Sequence, residues 1–311
     1  MGSSAIDVQS ATRRFGEIVA VDGLSFEVQH GEVFGLLGPN GAGKTTTINL
    51  ITGMLHRDAG DITVLEWDPQ TEPRRVHQKI GYVPQETNVY LDLSAVDNMW
   101  HHAALYCPDL SGTKQRIEEL LNLMDLWERR KDPVRTFSGG MKRRLTLARA
   151  LLHDPEIILF DEPTLGVDVQ GRHVLWEHVI AQKGEGKTFI VSTNNMAEAD
   201  ALCDTLVIID NGQAIARGSP EHLKADLGRD IVTLRTTPAI QDPEQLFTGL
   251  GVQGVTRPEA DQVRLEVRDA ESIVGELVTR MTAGHRLESV QMARPTLDDV
   301  FLYHTGRALR E

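Results

Sequence analysis

The densest chemistry in the sequence lies in Gly38-Pro39-Asn40-Gly41-Ala42-Gly43-Lys44-Thr45. This run fits the spacing G-x-x-x-x-G-K-[ST], in which glycines let backbone N–H groups turn inward around phosphate oxygens. In that pattern the Lys44 ammonium reaches the β- and γ-phosphates, and the Thr45 hydroxyl is a ligand for Mg²⁺. A helix expected from Lys44 to about Met54 points its positive end at the same phosphates. The bland alternative is a glycine-rich turn with an incidental lysine. The apolar run EVFGLLG before the motif and the helical pattern after it argue against that alternative.

A second acidic element stands further along, in the stretch IILFDEP. Its apolar residues read as a buried strand that delivers Asp161 to its C-terminal end, where ligands sit in open parallel sheets. Asp161 can hold Mg²⁺ through its water shell, and Glu162 is the natural general base for an attacking water. Taken alone, the stretch would equally read as a strand ending in a solvated acidic turn.

The elements that must position these groups alternate. Strand patterns in the first thirty residues lead into EVFGLLG, and a mostly helical stretch runs from about Thr87 to Leu152. After it come a strand (EIILFDEP), a helix (VQGRHVLWEHVIAQ), a strand (KTFIVST) and a short helix (MAEADALC). TLVIIDNGQAIARG reads as a hairpin turning at Asn211-Gly212. Such alternation predicts an α/β fold with a parallel sheet and an inserted helical subdomain. The composition shifts after Gly218-Ser219-Pro220, so domains are expected at 1–219 and 220–311. Residues 231–292 read as strand, helix, strand, strand, helix, strand, which predicts a small ferredoxin-like α+β domain. A last helix is expected from about Thr296.

Composition excludes several classes. The 311 residues carry a net charge of −13, against a general nucleic-acid binder, which needs clustered Lys and Arg. The same charge gives no long-range attraction to anionic lipid headgroups. Cys107 and Cys203 form neither a disulfide framework nor a metal cluster. No apolar run approaches the ~18 residues of a membrane span, and MGSSAIDVQS lacks the basic and apolar regions of a signal peptide. A cytoplasmic location is expected.

Beyond the phosphate motif, FSGGMKRRL presents Ser138, Gly139 and Gly140 upstream of Asp161. This run resembles the signature motif of ABC-type ATPases; it also reads as a serine-capped helix start, itself an anion site. Other stretches resemble the same family in the same order. Gln85 in GYVPQE is similar to the Q-loop, Asp168 in LGVD to the D-loop, and Phe15 in RRFG to the aromatic that stacks on adenine. For Phe15 the competing reading is a core phenylalanine on a strand. RPTLDDVFLYHTGR resembles the C-terminal motif of the daunorubicin-resistance branch, ATPases of ABC-2 exporters; the plain reading is an amphipathic helix capped near Thr296 or Asp298.

The resemblance implies an ABC-type nucleotide-binding domain that binds ATP and Mg²⁺ and hydrolyses ATP. It implies ATP contacts at Phe15, Gly38, Asn40, Gly41, Gly43, Lys44, Thr45, Thr46 and Asp168, and at Ser138, Gly139 and Gly140 across a head-to-tail dimer. Metal contacts fall to Thr45, Gln85 and Asp161. The implied partners are a second copy of the chain and a separate integral-membrane subunit, with no nucleic acid.

Two positions depart from the family. Asn194 stands where the family has a switch histidine, and Met141 where it usually has glutamine. An asparagine amide can still donate to a phosphate oxygen but cannot become a cation. Slow hydrolysis is the expectation, with Glu162, Asn194 and Gln85 as the catalytic set. The alternatives are a non-hydrolysing regulatory module and an ABC-type ATPase acting on ribosomes or DNA.

Overall fold

The structure is a computed structural model. It describes residues 4–107, 109–164, 169–227, 230–259, 261–282 and 284–305, leaving aside the side chains of 169–171, 173–175 and 178. The chain divides into two compact units between Ser219 and Pro220.

Unit 1 opens with the strands β1 (Ile6–Phe15), β2 (Ile18–Val28) and β3 (Val33–Leu37), then α1 (Lys44–Ile51), β4 (Ala59–Val64), α2 (Pro73–Lys79) and β5 (Ile80–Val83). The helices α3 (Ala95–Tyr106), α4 (Thr113–Leu123) and α5 (Gly139–Ala150) follow. Next come β6 (Ile157–Asp161), α6 (Val169–Gly184), β7 (Thr188–Thr193), α7 (Met196–Leu202) and the pair β8 (Thr205–Asp210) and β9 (Gln213–Gly218).

β1 pairs antiparallel with both β2 and β4 in a small sheet. The main sheet runs β5-β6-β7-β3-β8-β9, parallel except for the terminal β8–β9 hairpin. Strands β3, β6 and β7 are buried at every residue, as near-continuous apolar runs in a covered parallel sheet should be. One hydrophobic cluster joins Ile6, Val8 and Phe26 of the small sheet to Leu36, Ile48, Leu159 and Ile190. Asn211 and Gly212 both take positive φ, 49° and 79°, as a tight hairpin requires.

The helix after the phosphate loop ends earlier than its pattern predicts, at Ile51 rather than near Met54. Gly53 takes φ 72°, and a Cβ there would lie 2.2 Å from the Pro69 carbonyl oxygen. The left-handed glycine closes the helix and lets the following chain pass.

Unit 2 contains α8 (Pro220–Asp226), β10 (Asp230–Thr237), α9 (Pro243–Leu246), β11 (Val252–Thr256), β12 (Gln262–Val267), α10 (Ala270–Thr282), β13 (Arg286–Ala293) and α11 (Leu297–Thr305). Its sheet order is β11-β12-β10-β13, with every pair antiparallel. This is the ferredoxin-like arrangement, with its first helix shortened to four residues between Pro243 and the turn that follows. Val232, Leu234, Val263, Leu265, Leu277 and Met281 form a core of its own. Thr296 caps α11 reciprocally: Asp299 N–H donates to Thr296 Oγ1 at 3.3 Å, and Thr296 N–H donates to Asp299 Oδ2 at 2.9 Å.

Candidate phosphate site

Strand register explains why the chemistry gathers. Leu37 pairs with Thr193, Asp161 with Ser192 and Val83 with Phe160, so the C-terminal ends of β3, β5, β6 and β7 are nearly level. Four candidate residues lie one or two positions past such an end: Gly38 after β3, Gln85 after β5, Glu162 after β6 and Asn194 after β7. Ligand sites of open parallel sheets form at this edge.

The loop after β3 is braced from behind. A Cβ on Gly38 would lie 2.2 Å from the Ile209 carbonyl oxygen, and one on Gly43 would lie 2.4 Å from that of Ala20. Gly41 and Gly43 hold φ 82° and 108°, which L side chains rarely adopt. Gly212 N–H, at the β8–β9 turn, donates to Ala42 O at 2.9 Å. Gly38 N–H donates to Thr193 O at 3.3 Å and ties the loop to β7.

Lys44 is 4% exposed, inside this loop. Its Nζ donates to Gly38 O at 2.8 Å and Pro39 O at 3.1 Å, and lies 3.5 Å from Glu162 Oε1. Burial pushes its pKa down, while Glu162 and Asp161 pull it back up. Thr45 Oγ1 donates to Asp161 Oδ1 at 3.3 Å. Thr46 is half-buried in the first turn of α1, and Asn40 is exposed on the loop.

Glu162 N–H donates to Ser192 O at 3.0 Å, and Gln85 Nε2 donates to Glu162 Oε2 at 3.0 Å. Glu162 also takes φ 48°. A non-glycine residue in that region costs about 1 kcal/mol, so strain sits at the residue best placed to act as a base. Asn194 Nδ2 donates to Asn40 Oδ1 at 3.3 Å, which sets its amide against the loop. Ser192, fully buried beneath Asp161 and donating to its Oδ1, was not signalled by any motif.

Other predicted residues lie apart from this group. Phe15 is 44% exposed at the end of β1, with the Arg13 guanidinium 4.8 Å from its ring centre, so it is no core phenylalanine. Ser138 caps α5 by accepting from Met141 N–H, and Ser138, Gly139 and Gly140 are exposed. Among the described residues no hydrogen bond joins these three to the phosphate loop. Asp168 lies outside the described residues.

Sequence reasoning also passed over Arg143. It sits in a Lys142-Arg143-Arg144 run that reads as a solvated helix face, yet it is only 9% exposed. Its neighbours Leu145 and Thr146 face the core, and that periodicity was the available signal.

Comparison with known proteins agrees with this architecture. Residues 21–165 match the ABC transporter family, and residues 218–305 match the "ATP-binding protein DrrA1-3-like, C-terminal domain" family. The chain is 38% identical to the linearmycin resistance ATP-binding protein LnrL of Bacillus subtilis, over 98% of this chain and 100% of that one. It is 37% identical to the Nod factor export ATP-binding protein I of Ralstonia nicotianae, over 100% and 97%. It is 36% identical to the daunorubicin resistance ATP-binding protein DrrA3 of Streptomyces coeruleorubidus, over 98% and 97%. A solved ATP-binding subunit of an ABC transporter superposes with a TM-score of 0.68 at 28% identity, covering 72% of this chain and 94% of that one. With a P-loop at the carboxyl edge of its sheet and near full-length relatives of one kind, the chain belongs to the ABC transporter ATP-binding family, is an ATPase of that family, and carries the DrrA-like C-terminal domain.

Proposed function

We propose that two copies of this chain close head to tail on ATP and drive a separate membrane-embedded exporter subunit. The observation that carries the reading is the run of contacts from Lys44 through Glu162 to Gln85, which joins three loops at one edge of the sheet. Glu162 takes a proton from water as that water attacks the γ-phosphorus; the bond from the γ-phosphorus to the β–γ bridging oxygen breaks, and ADP leaves with its electron pair. Gln85 donates to the Glu162 carboxylate and fixes its direction. Lys44 balances charge on the β- and γ-phosphates, and Asn194 donates its amide to a γ-phosphate oxygen. Thr45 Oγ1 and the Asp161 carboxylate are hard oxygen donors set together and would hold Mg²⁺ with most of its water shell, with the Gln85 amide oxygen as the third donor the resemblance implies. Bound Mg²⁺ neutralises charge on the phosphates. Phe15 stacks on adenine, its exposed ring being free of the core.

The dimer has its own support. A Cβ on Gly139 or Gly140 would meet nothing within 4 Å, while glycine costs up to about 1 kcal/mol against alanine inside a helix. The subunit's own packing does not ask for these glycines. A phosphate brought by the partner's P-loop to the N-terminus of α5 does, because it needs close backbone approach. By resemblance alone, Asp168 takes the D-loop role. Similar identities to ATPases named for linearmycin resistance, daunorubicin resistance and Nod factor export favour an exporter whose cargo is chosen by the membrane subunit. Among the described residues no helix is long and apolar enough to cross a membrane.

Glu162→Gln tests the site. The variant should bind ATP as the parent does and lose turnover by about 10²–10⁴-fold, the usual contribution of a general base. With one negative charge removed near the γ-phosphate, the ATP-bound dimer should persist in size measurements with Mg-ATP. Hydrolysis at the parental rate would remove Glu162 from the mechanism.

A further inference from the structure

Helix α5 carries a buried cation that no phosphate motif claims. The Arg143 guanidinium spreads its donors over two separate loops. Nη1 donates to Pro84 O, and to Gln85 O at 3.2 Å. Nη2 donates to Asp161 O at 3.5 Å and Glu162 O at 3.4 Å, and Nε donates to Pro163 O at 3.3 Å. Those carbonyls belong to the backbone segments that bear Gln85 and Glu162, whose side chains meet at 3.0 Å. Further along the same helix, Arg149 Nη1 donates to Asn88 O at 2.6 Å, with its guanidinium 5.6 Å from the Tyr90 ring centre. One helix therefore holds the loop after β5 at two points in its first half, Pro84–Gln85 and Asn88.

Burying a charge is costly unless it is well bonded. A guanidinium spans separate acceptors with a rigid fork, and a lysine ammonium is a point charge that cannot.

We infer that Arg143 is the positioning residue that sets the Gln85–Glu162 contact and makes it follow the signature helix. The inference rests on the roles proposed above for those two residues. With the fork in place, movement of α5 on meeting ATP carries Pro84–Gln85 and Asp161–Pro163 together, and the base keeps its orienting amide. Without it the two loops move independently, and a displacement of ~1 Å at a reacting group costs about 100-fold in rate.

The experiment is a double-mutant cycle on the full chain: Arg143→Met, Arg143→Lys, Gln85→Ala and the two double variants. Steady-state ATPase rates are read beside binding of a fluorescent ATP analogue and thermal unfolding. Arg143→Met should lower kcat by about 10–100-fold, with the analogue Kd within about threefold of the parent because the P-loop is untouched. Arg143→Lys should lose most of the same rate although it keeps the charge. In the Gln85→Ala background either change should cost less than about threefold, since the contact it sets is already gone. Losses that multiply in the double variants, parental kcat in Arg143→Lys, or lost analogue binding in a cooperatively folded variant would each overturn the inference. If Arg143→Met does not fold, the lysine variant carries the same comparison. A hydrolysing parent with an indifferent Arg143→Met defeats the positioning role alone, whereas a parent that hydrolyses no ATP defeats the site reading with it.

Discussion

At the scale of single residues, Asn194 stands where the resemblance expects a switch histidine. It stands one residue past β7 and donates to Asn40 on the phosphate loop at 3.3 Å. The amide can supply one hydrogen bond to a γ-phosphate oxygen but never the positive charge of a protonated histidine. A hydrogen bond to a charged group is worth about 1.5–3 kcal/mol, which is roughly 10–100-fold in rate if it acts mainly in the transition state. Because asparagine keeps a donor, the deficit should lie near the lower figure. Asn194→His should raise turnover by about tenfold with little change in ATP affinity, and Asn194→Ala should lower it. ATPase rates of the three proteins at one Mg-ATP concentration decide this. A histidine variant no faster than the parent means the site is built around asparagine, with Glu162 and backbone groups alone holding the water.

At the scale of elements, α5 joins two demands of opposite sign. Its first turn exposes Gly139 and Gly140, while Arg143, Leu145 and Arg149 are buried. Gly140→Ala should stabilise the isolated subunit by up to about 1 kcal/mol, since alanine is the better helix former and its Cβ meets open space. On the proposed reading the same change should weaken the ATP-bound dimer, because the added methyl would stand where the partner's phosphate approaches. Thermal melts without nucleotide and size measurements with Mg-ATP read the two effects separately. A variant that melts higher and dimerises as the parent does would show that α5 does not meet the partner's nucleotide.

These elements also mark what was legible in the sequence. The phosphate loop and the acidic end of β6 were legible because their chemistry depends on local chain geometry: fixed glycines, a strand before and a helix after. The hairpin at Asn211-Gly212 and the cap at Thr296 are local in the same way. The order of strands in the main sheet was not, since it rests on pairings between distant segments. Arg143 stayed hidden because a basic run on a helix looks solvated until the helix is rotated against its neighbours. The shortness of α9 was not legible, because a strand-helix-strand pattern in a short window does not set helix length.

At the scale of the whole molecule, the chain has two compact units. A net charge of −13 gives no purchase on anionic lipid, so on the proposed reading the chain reaches the membrane only through a specific protein partner. The candidate phosphate-site residues all come from positions before Ser219, and the hydrophobic cluster beneath them is drawn from that unit alone. Unit 2 has a separate core and a helix pinned by the Arg264–Asp299 ion pair at 2.7 Å, and it adds no phosphate motif. Residues 220–311 should therefore serve assembly or regulation of the engine, not its chemistry. Removing them from both the parent and Glu162→Gln should leave ATP affinity within about threefold, because no P-loop contact is lost. The truncated Glu162→Gln protein should nonetheless show a weaker ATP-bound dimer than its full-length counterpart, as size measurements across a concentration series would record. If the truncated protein melts cooperatively yet no longer binds ATP, the nucleotide site draws on unit 2 and the division at Ser219 is wrong. If its dimer is as strong as that of the full chain, the C-terminal unit acts on the membrane partner instead, and export in cells becomes the measurement that assigns it.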